Sequence, residues 1–334
     1  MVRRQSKALI SITVTLFRSF DDLPSLLEAL ELLTKKLAFT FRTEVVFVSD
    51  ASPDKCVEYL KQMLPRCGFE SQLHVLERNY GATFALRCAW EMAKGDFIAP
   101  LPPDLQDPPE IVEKALLKLA AGEADVCIGV RRTRQDPWLE TLLQKAFWLF
   151  YSSIISTNVP IVGIDFFAVT KRVKNVLLRY REPNSFLIGI LLHAGYRNCR
   201  LEYDRKSRVH GRSSWSFSKK FRYFADSIFF FSRRPVQLIY LLSTGFGVLS
   251  GLFFVSWLLT ERSEIFTPLA AVISVATSSV LFSGALLGEY IFRILDTAAS
   301  RPLMNIMSSE TFTGRLEASL ESMENSAEKE CLSA

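Results

Sequence analysis

An α/β fold with a mostly parallel sheet is predicted for the first two-thirds of this chain, and a pair of membrane-crossing helices for the last third. Three observations carry the prediction. Apolar, β-rich runs alternate with helical patterns through the first 130 residues. Two uncharged apolar stretches, Val236–Thr260 and Phe266–Leu287, follow. Between the sheet and these stretches lie aromatic-rich, amphipathic segments.

The strand candidates are Ala8–Leu16, Glu44–Ser49, Gln72–Glu77, Phe97–Leu101 and Asp125–Val130. Helical segments fall between them at Asp22–Leu37, Pro53–Leu64, Ala82–Ala93 and Pro108–Ala120. Strands joined through helices form a parallel sheet with helices on both faces. The helix starts are marked as well. Ser52 can cap ahead of Pro53, and Asp107 can cap ahead of Pro108, with Glu110 completing a capping box. Asp104 and Gln106 precede that cap and are not explained by it.

From Trp138 to Ile155 an aromatic-rich amphipathic helix is expected, and Ser216–Ser232 mixes Lys219, Lys220 and Arg222 with Phe217, Phe221 and Tyr223. Such helices suit a bilayer interface, although ordinary core packing explains the pattern equally well. The two apolar stretches are each long enough to span a bilayer as helices. Only Glu261–Ile265 separates them, so a tight hairpin is expected. Between Arg205 and Arg234 there are nine Lys or Arg and one acid, Asp226. The positive-inside rule then places both termini in the cytoplasm. The resulting organisation is an α/β domain at 1–215, a juxtamembrane helix at 216–235, two transmembrane helices (236–260 and 266–287) within 236–293, and a cytoplasmic tail at 294–334. Beyond Ser308 the chain is polar and acidic and reads as weakly ordered.

Composition narrows the function. The chain has 334 residues, 49% hydrophobic, with a formal net charge of +5. Its basic residues cluster beside the apolar stretches, which favours an anionic membrane surface over nucleic acid. The six Cys show no C-x-x-C spacing and read as reduced thiols of a cytosolic domain. The three His do not sit at zinc-ligand spacing. No P-loop, G-x-G-x-x-G motif, internal repeat or signal peptide is visible.

The most informative segment is Asp104-Leu-Gln-Asp-Pro-Pro-Glu110, directly after the strand candidate Phe97–Leu101. It places carboxylates and an amide at the end of a strand, where α/β sheets bind ligands. Other segments join it in order: Ser11-Ile-Thr-Val-Thr-Leu-Phe-Arg-Ser19, Val48-Ser-Asp-Ala-Ser-Pro-Asp54, Arg78-Asn-Tyr-Gly-Ala82, Arg131-Arg-Thr-Arg-Gln135 with Trp138, Ile164-Asp165-Phe166-Phe167, Arg205-Lys-Ser-Arg208-Val-His-Gly211-Arg-Ser213-Ser-Trp215, and Gly288-Glu-Tyr-Ile-Phe-Arg293 with Arg301-Pro302.

This ordered set resembles the polyprenyl-phosphate glycosyltransferases of glycosyltransferase family 2. Dolichol-phosphate mannose synthases and bacterial undecaprenyl-phosphate sugar transferases belong to that group. The resemblance covers roughly residues 8 to 305. It implies a GT-A (Rossmann-like) domain, interface helices and a transmembrane hairpin in a bacterial inner membrane, with the catalytic domain cytoplasmic. It also implies inverting transfer of a sugar from a nucleotide-sugar, most simply UDP-linked, to undecaprenyl phosphate or another polyprenyl phosphate, for cell-envelope glycan modification.

The carried-over donor-binding positions are Thr15, Phe17, Asp50, Asn79 and Asp104. Asp104 and Gln106 would hold Mg2+ or Mn2+. Asp104, Asp165 and Arg131 match catalytic positions, and Arg131, Arg205, Arg208 and Ser213 match acceptor or phosphate positions. A homo-oligomer is compatible with the resemblance. Pro102 stands where the family has its first metal-motif Asp. Ser19, Ala82, Phe167 and Ser214 likewise stand where the family usually has charged side chains. Two alternatives stay open: a catalytically impaired membrane scaffold, and a transferase using another membrane acceptor.

Overall fold

The computed structural model describes residues 7–132, 166–180, 195–205, 266–298 and 304–313, with a few isolated positions elsewhere. Among them run β1 (Leu9–Leu16), α1 (Leu23–Leu37), β2 (Arg42–Ser49), α2 (Cys56–Met63), β3 (Glu70–Leu76), α3 (Ala82–Met92), β4 (Phe97–Pro100), α4 (Pro109–Ala120), β5 (Val126–Arg131), β6 (Phe166–Thr170), α5 (Lys171–Leu177), β7 (Asn198–Tyr203), α6 (Phe266–Ala298) and β8 (Ile306–Phe312). The strands form one sheet in the order β7-β5-β6-β4-β1-β2-β3-β8.

Alternation along each strand divides the core into two layers. Ile10, Ile12, Val14 and Leu16 of β1 pack on α1, α2 and α4, whose apolar positions recur at helical spacing (Leu23, Leu26, Leu30, Leu33, Leu37). On the opposite face Val46, Val48, Ile98 and Ile128 meet Ala85, Cys88 and Trp90 of α3 and Val173 of α5. Trp90 lies edge-on to Phe167, with ring centroids 5.5 Å apart, a geometry aromatic pairs favour.

The expected parallel core is present: β1 pairs in parallel with β2 and β4, β2 with β3, and β5 with β7. The sheet is nonetheless mixed. β6 runs antiparallel to both β4 and β5, and β8 runs antiparallel to β3. The three strands β6, β7 and β8 are additions to the sequence reading.

Strand β8 corrects the expectation of a weakly ordered tail. Residues 306–312 close the sheet edge, with only one face covered, so their sequence is polar and carries little apolar signal. A buried polar strip ties β8 to the core. Glu44 accepts from the Ser11 hydroxyl (2.5 Å), the Gln72 amide (2.9 Å) and the Lys94 N–H (2.6 Å). Gln72 in turn meets His74 at 3.1 Å, and His74 Nδ1 meets Ser309 Oγ at 2.8 Å.

Both predicted caps are replaced. Helix α2 starts only at Cys56, and the Ser52 hydroxyl donates instead to Asp54 (2.6 Å). Helix α4 begins at Pro109 with Pro108, which has no side-chain acceptor, at the cap position, and the Asp107 carboxylate takes the Tyr203 hydroxyl described below.

Among the described residues no helix is long and apolar enough to cross a membrane. The predicted span at 236–260, the helices at 138–155 and 216–235, and the tail beyond 313 lie outside them, apart from isolated positions. The second predicted span falls within α6, whose described side chains include exposed Leu269, Ile273, Val280, Leu281 and Phe282.

Candidate active site

The strand order reverses at β1. The chain lays down β2 and β3 on one side of it, then crosses to place β4 on the other. The crevice outside the carboxyl ends of such strands is where open α/β sheets bind ligands. Strain collects at this rim. Among the described residues the non-glycine positions with positive φ are Arg18 (55°), Ala51 (47°) and Leu105 (49°). Each follows the carboxyl end of one strand: β1, β2 and β4 respectively. Non-glycine residues in this region cost energy and persist where the surroundings enforce them, commonly at functional sites.

Local hydrogen bonds enforce them here. The Arg18 N–H donates to the Ser52 hydroxyl (2.7 Å), and the Phe20 N–H donates to Asp54 (3.0 Å). Asp54 thereby staples the loop after β1 to the loop after β2. Burial opposes the Asp54 charge, but hydrogen bonds from Ser52, Cys56 and Phe20 outweigh it and hold the carboxyl below its ordinary value of 3.8. After β4, Asp104 Oδ1 accepts the Gln106 N–H at 3.3 Å, closing a small turn around Leu105.

Asp50, expected to read the donor, is buried at 3% exposure. Its two oxygens accept the Tyr80 N–H at 2.7 Å and the Gly81 N–H at 2.8 Å. These residues belong to the Arg78-Asn79-Tyr80-Gly81 segment, so two motifs 30 residues apart form one unit. Gly81 has φ 99°, which favours glycine, and it leads directly into α3. The Asn79 side chain is exposed beside it, and the Arg78 guanidinium lies 4.9 Å from the Tyr80 ring centroid. Thr15 is half-buried at the end of β1, and Phe17 is exposed at the rim.

The residues expected to meet the acceptor lie along β5 and β7. Arg131 ends β5 opposite Tyr203 of β7, and the Arg132 N–H donates to the Tyr203 carbonyl (2.9 Å). Arg205 follows two residues later. Asp107, 2% exposed, accepts the Tyr203 hydroxyl at 2.6 Å and lies 3.6 Å from Arg205 Nε. The loop after β4 therefore crosses above β6 and β5 to reach β7. That is three interstrand spacings, about 14 Å. It carries Asp104 and Gln106 toward the arginines.

The structure thus brings Thr15, Phe17, Asp50, Asn79, Asp104, Gln106, Arg131 and Arg205 to one edge of the sheet. Asp165, Arg208 and Ser213 lie outside the described residues, although β6 starts at Phe166, one residue after Asp165. Sequence reasoning missed the positioning roles of Ser52, Asp54, Asp107 and Tyr203. Of these, Ser52, Asp54 and Asp107 lie within the quoted motifs, whereas Tyr203 lies outside them.

A divalent cation finds a limited donor set here. Among the described residues no group of three or more His, Cys, Asp or Glu converges as a metal cage. Asp104 and Gln106 offer one carboxylate and one amide. That fits a hard cation that draws most of its shell from substrate phosphates and water, as Mg2+ commonly does.

The family described as Glycosyl transferase family 2 matches residues 11–179, just over half of the 334-residue chain. Over 303 residues the chain is 27% identical to an uncharacterized glycosyltransferase of Synechocystis sp., covering 88% of this chain and 93% of that one. Over 310 residues it is 29% identical to the undecaprenyl-phosphate 4-deoxy-4-formamido-L-arabinose transferase of Pseudomonas aeruginosa, covering 88% of each chain. Among solved structures, mannosyl-3-phosphoglycerate synthase from Rubrobacter xylanophilus superposes with a TM-score of 0.47 at 14% identity, over 69% of this chain and 74% of that one.

Proposed function

The chain belongs to glycosyl transferase family 2 and is a glycosyltransferase, and we propose that it moves a sugar from a nucleotide-sugar, most simply UDP-linked, to undecaprenyl phosphate or a related polyprenyl phosphate. The single observation that carries this reading is the convergence at one rim of Asp104 and Gln106 after β4 with Arg131 and Arg205 after β5 and β7. A carboxylate–amide pair suits a diphosphate with its counter-cation. Two guanidiniums suit a phosphate, which they grip bidentately. The relative from P. aeruginosa, whose name specifies an undecaprenyl-phosphate acceptor, supports the same assignment.

The acceptor phosphate is already an anion, so the site has little general-base work to do. Rate enhancement then comes from positioning and from stabilising charge on the departing diphosphate. Arg131 and Arg205 would hold the acceptor oxygen for in-line attack, which inverts the anomeric carbon. The Asp50–Tyr80–Gly81 unit and Phe17 would wall the nucleotide pocket. Asp104 and Gln106 would hold the divalent cation, which when bound neutralises charge on the donor phosphates.

We place the enzyme at a bacterial inner membrane, with the sheet domain cytoplasmic. Two features support this. Helix α6 exposes Leu269, Ile273, Val280, Leu281 and Phe282, and residues 266–287 hold no charge. Strand β8 also rejoins the sheet at β3 directly after α6. A chain that left the sheet and crossed a bilayer once would put β8 on the wrong side, so the number of crossings must be even. A hairpin of 236–260 with 266–287 satisfies that count.

The test is transfer of label from a panel of UDP- and GDP-sugars to undecaprenyl phosphate, with Mg2+ or Mn2+, using purified full-length protein in detergent. An organic-extractable product that disappears in Asp104→Ala and with chelator supports the reading. A folded protein that yields no product from any donor refutes it and favours a scaffold.

A further inference from the structure

We infer that Asp107 is a positioning residue that sets the Arg205 guanidinium for the acceptor phosphate, an inference that rests on the transferase reading above. Asp107, the middle acid of the motif, does not occupy the cap position of α4, which falls on Pro108. It is instead a buried hub. Asp107 Oδ1 accepts the Tyr203 hydroxyl at 2.6 Å and faces Arg205 Nε at 3.6 Å. The first is a short, charge-assisted hydrogen bond. The second is an ion pair, longer than a hydrogen bond.

Two consequences follow. A carboxylate 3.6 Å from Nε draws the guanidinium towards it by charge attraction, which biases where its terminal nitrogens meet an anion. Asp107 also lies three residues after Asp104, in the loop that crosses from β4 to β7. It therefore couples the donor-side carboxylate to the acceptor-side arginine through one short, buried link. Tyr203 completes the hub. It sits opposite Arg131 in the β5–β7 register, which places the two arginines on neighbouring strands. The half-buried Arg205, with 25% of its side chain exposed, still reaches the rim.

The experiment compares wild type, Asp107→Asn, Arg205→Ala, the double variant and Tyr203→Phe as full-length protein in detergent. Initial rates are measured against undecaprenyl phosphate and against the donor separately. Direct binding of undecaprenyl phosphate is titrated with undecaprenol as the phosphate-free control. Asp107→Asn should raise the acceptor KM about tenfold, the loss expected when one charge-assisted contact is misdirected. The donor KM should move less than about twofold, since no donor contact is removed. The double variant should cost no more than Arg205→Ala alone, because the two act as one unit. Tyr203→Phe retains the carboxylate and should raise the acceptor KM by a smaller factor. It keeps the inference testable if Asp107→Asn folds poorly.

Equal loss for both substrates, additive effects in the double variant, or an unmoved acceptor KM would overturn the role of Asp107 alone. A wild type that binds undecaprenyl phosphate without transferring sugar would refute the transferase reading and leave the Asp107 argument to the binding titration. A wild type that neither binds nor transfers would overturn both.

Discussion

Asp50→Asn tests whether the first carboxylate of the donor side is a reader or a strut. In the structure both Asp50 oxygens accept backbone N–H groups, from Tyr80 at 2.7 Å and Gly81 at 2.8 Å, and the side chain is 3% exposed. Asparagine keeps the size and one acceptor. Its NH2 group then faces an N–H, donor against donor. One hydrogen bond to a charged group is lost, worth about 1.5–3 kcal/mol, and a buried N–H is left without its acceptor. These overlap, so the expected loss is about 3 kcal/mol, a large share of the roughly 5–15 kcal/mol that keeps a protein folded. For a domain of this size that lowers the melting temperature by about 6–12 °C. Thermal unfolding followed by circular dichroism in detergent measures it, with initial rates against the donor alongside. The loop carrying Asn79 should loosen, so the donor KM rises only together with the loss of stability. If the variant melts with the wild type while the donor KM rises tenfold, the carboxylate reads the nucleotide directly and the strut argument is wrong.

Two further outcomes are expected. Pro102→Asp should lower the Mg2+ concentration needed for half-maximal transfer severalfold, since a second carboxylate would face the cation. The fold should tolerate it, because Pro102 contributes its carbonyl to the Leu105 N–H (3.2 Å), a bond aspartate retains. An unchanged or higher requirement would mean that the loop has settled into a geometry where position 102 no longer faces the metal. His74 should make stability depend on pH. Burial holds its imidazole below the ordinary 6.5. The unfolded chain therefore takes up a proton at a pH where the folded one does not. Stability should be unaffected above about pH 6.5, fall as pH drops below that, and level off under the folded-state value. Urea unfolding of wild type and His74→Gln between pH 8 and 5 checks this; parallel curves would show that His74 does not set the slope.

Much of the site was legible in the sequence because it is local. The end of each early strand carries its own short motif, and apolar alternation places β1 to β5 with errors of one or two residues. Asp50, Asp104 and Arg131 could be singled out because each follows an expected strand, and Arg205 because its segment resembles a family motif. Strands β6 and β7 were not legible. Phe166–Thr170 and Asn198–Tyr203 are five and six residues long and take their identity from the neighbours they pair with. Strand β8 was hidden for a different reason. An edge strand with one covered face needs few apolar residues, so 306–312 reads like tail.

The sequence by itself determined the α/β alternation, the two uncharged stretches and the chemical types gathered at the strand ends, because periodicity and motif spacing are properties of neighbouring residues. Only the tertiary structure decided what those groups do to one another. Asp107 has every local mark of a helix cap, with Pro108 after it and Glu110 beyond. Its partners, Tyr203 and Arg205, lie 96 and 98 positions away and cannot be inferred from spacing. Asp50 likewise has partners that its own motif does not reveal, the Tyr80 and Gly81 N–H groups on its two oxygens. A buried carboxylate binds whichever donors the fold brings within about 3 Å. For these two residues, those donors are set by strand order and loop path, which local sequence does not encode.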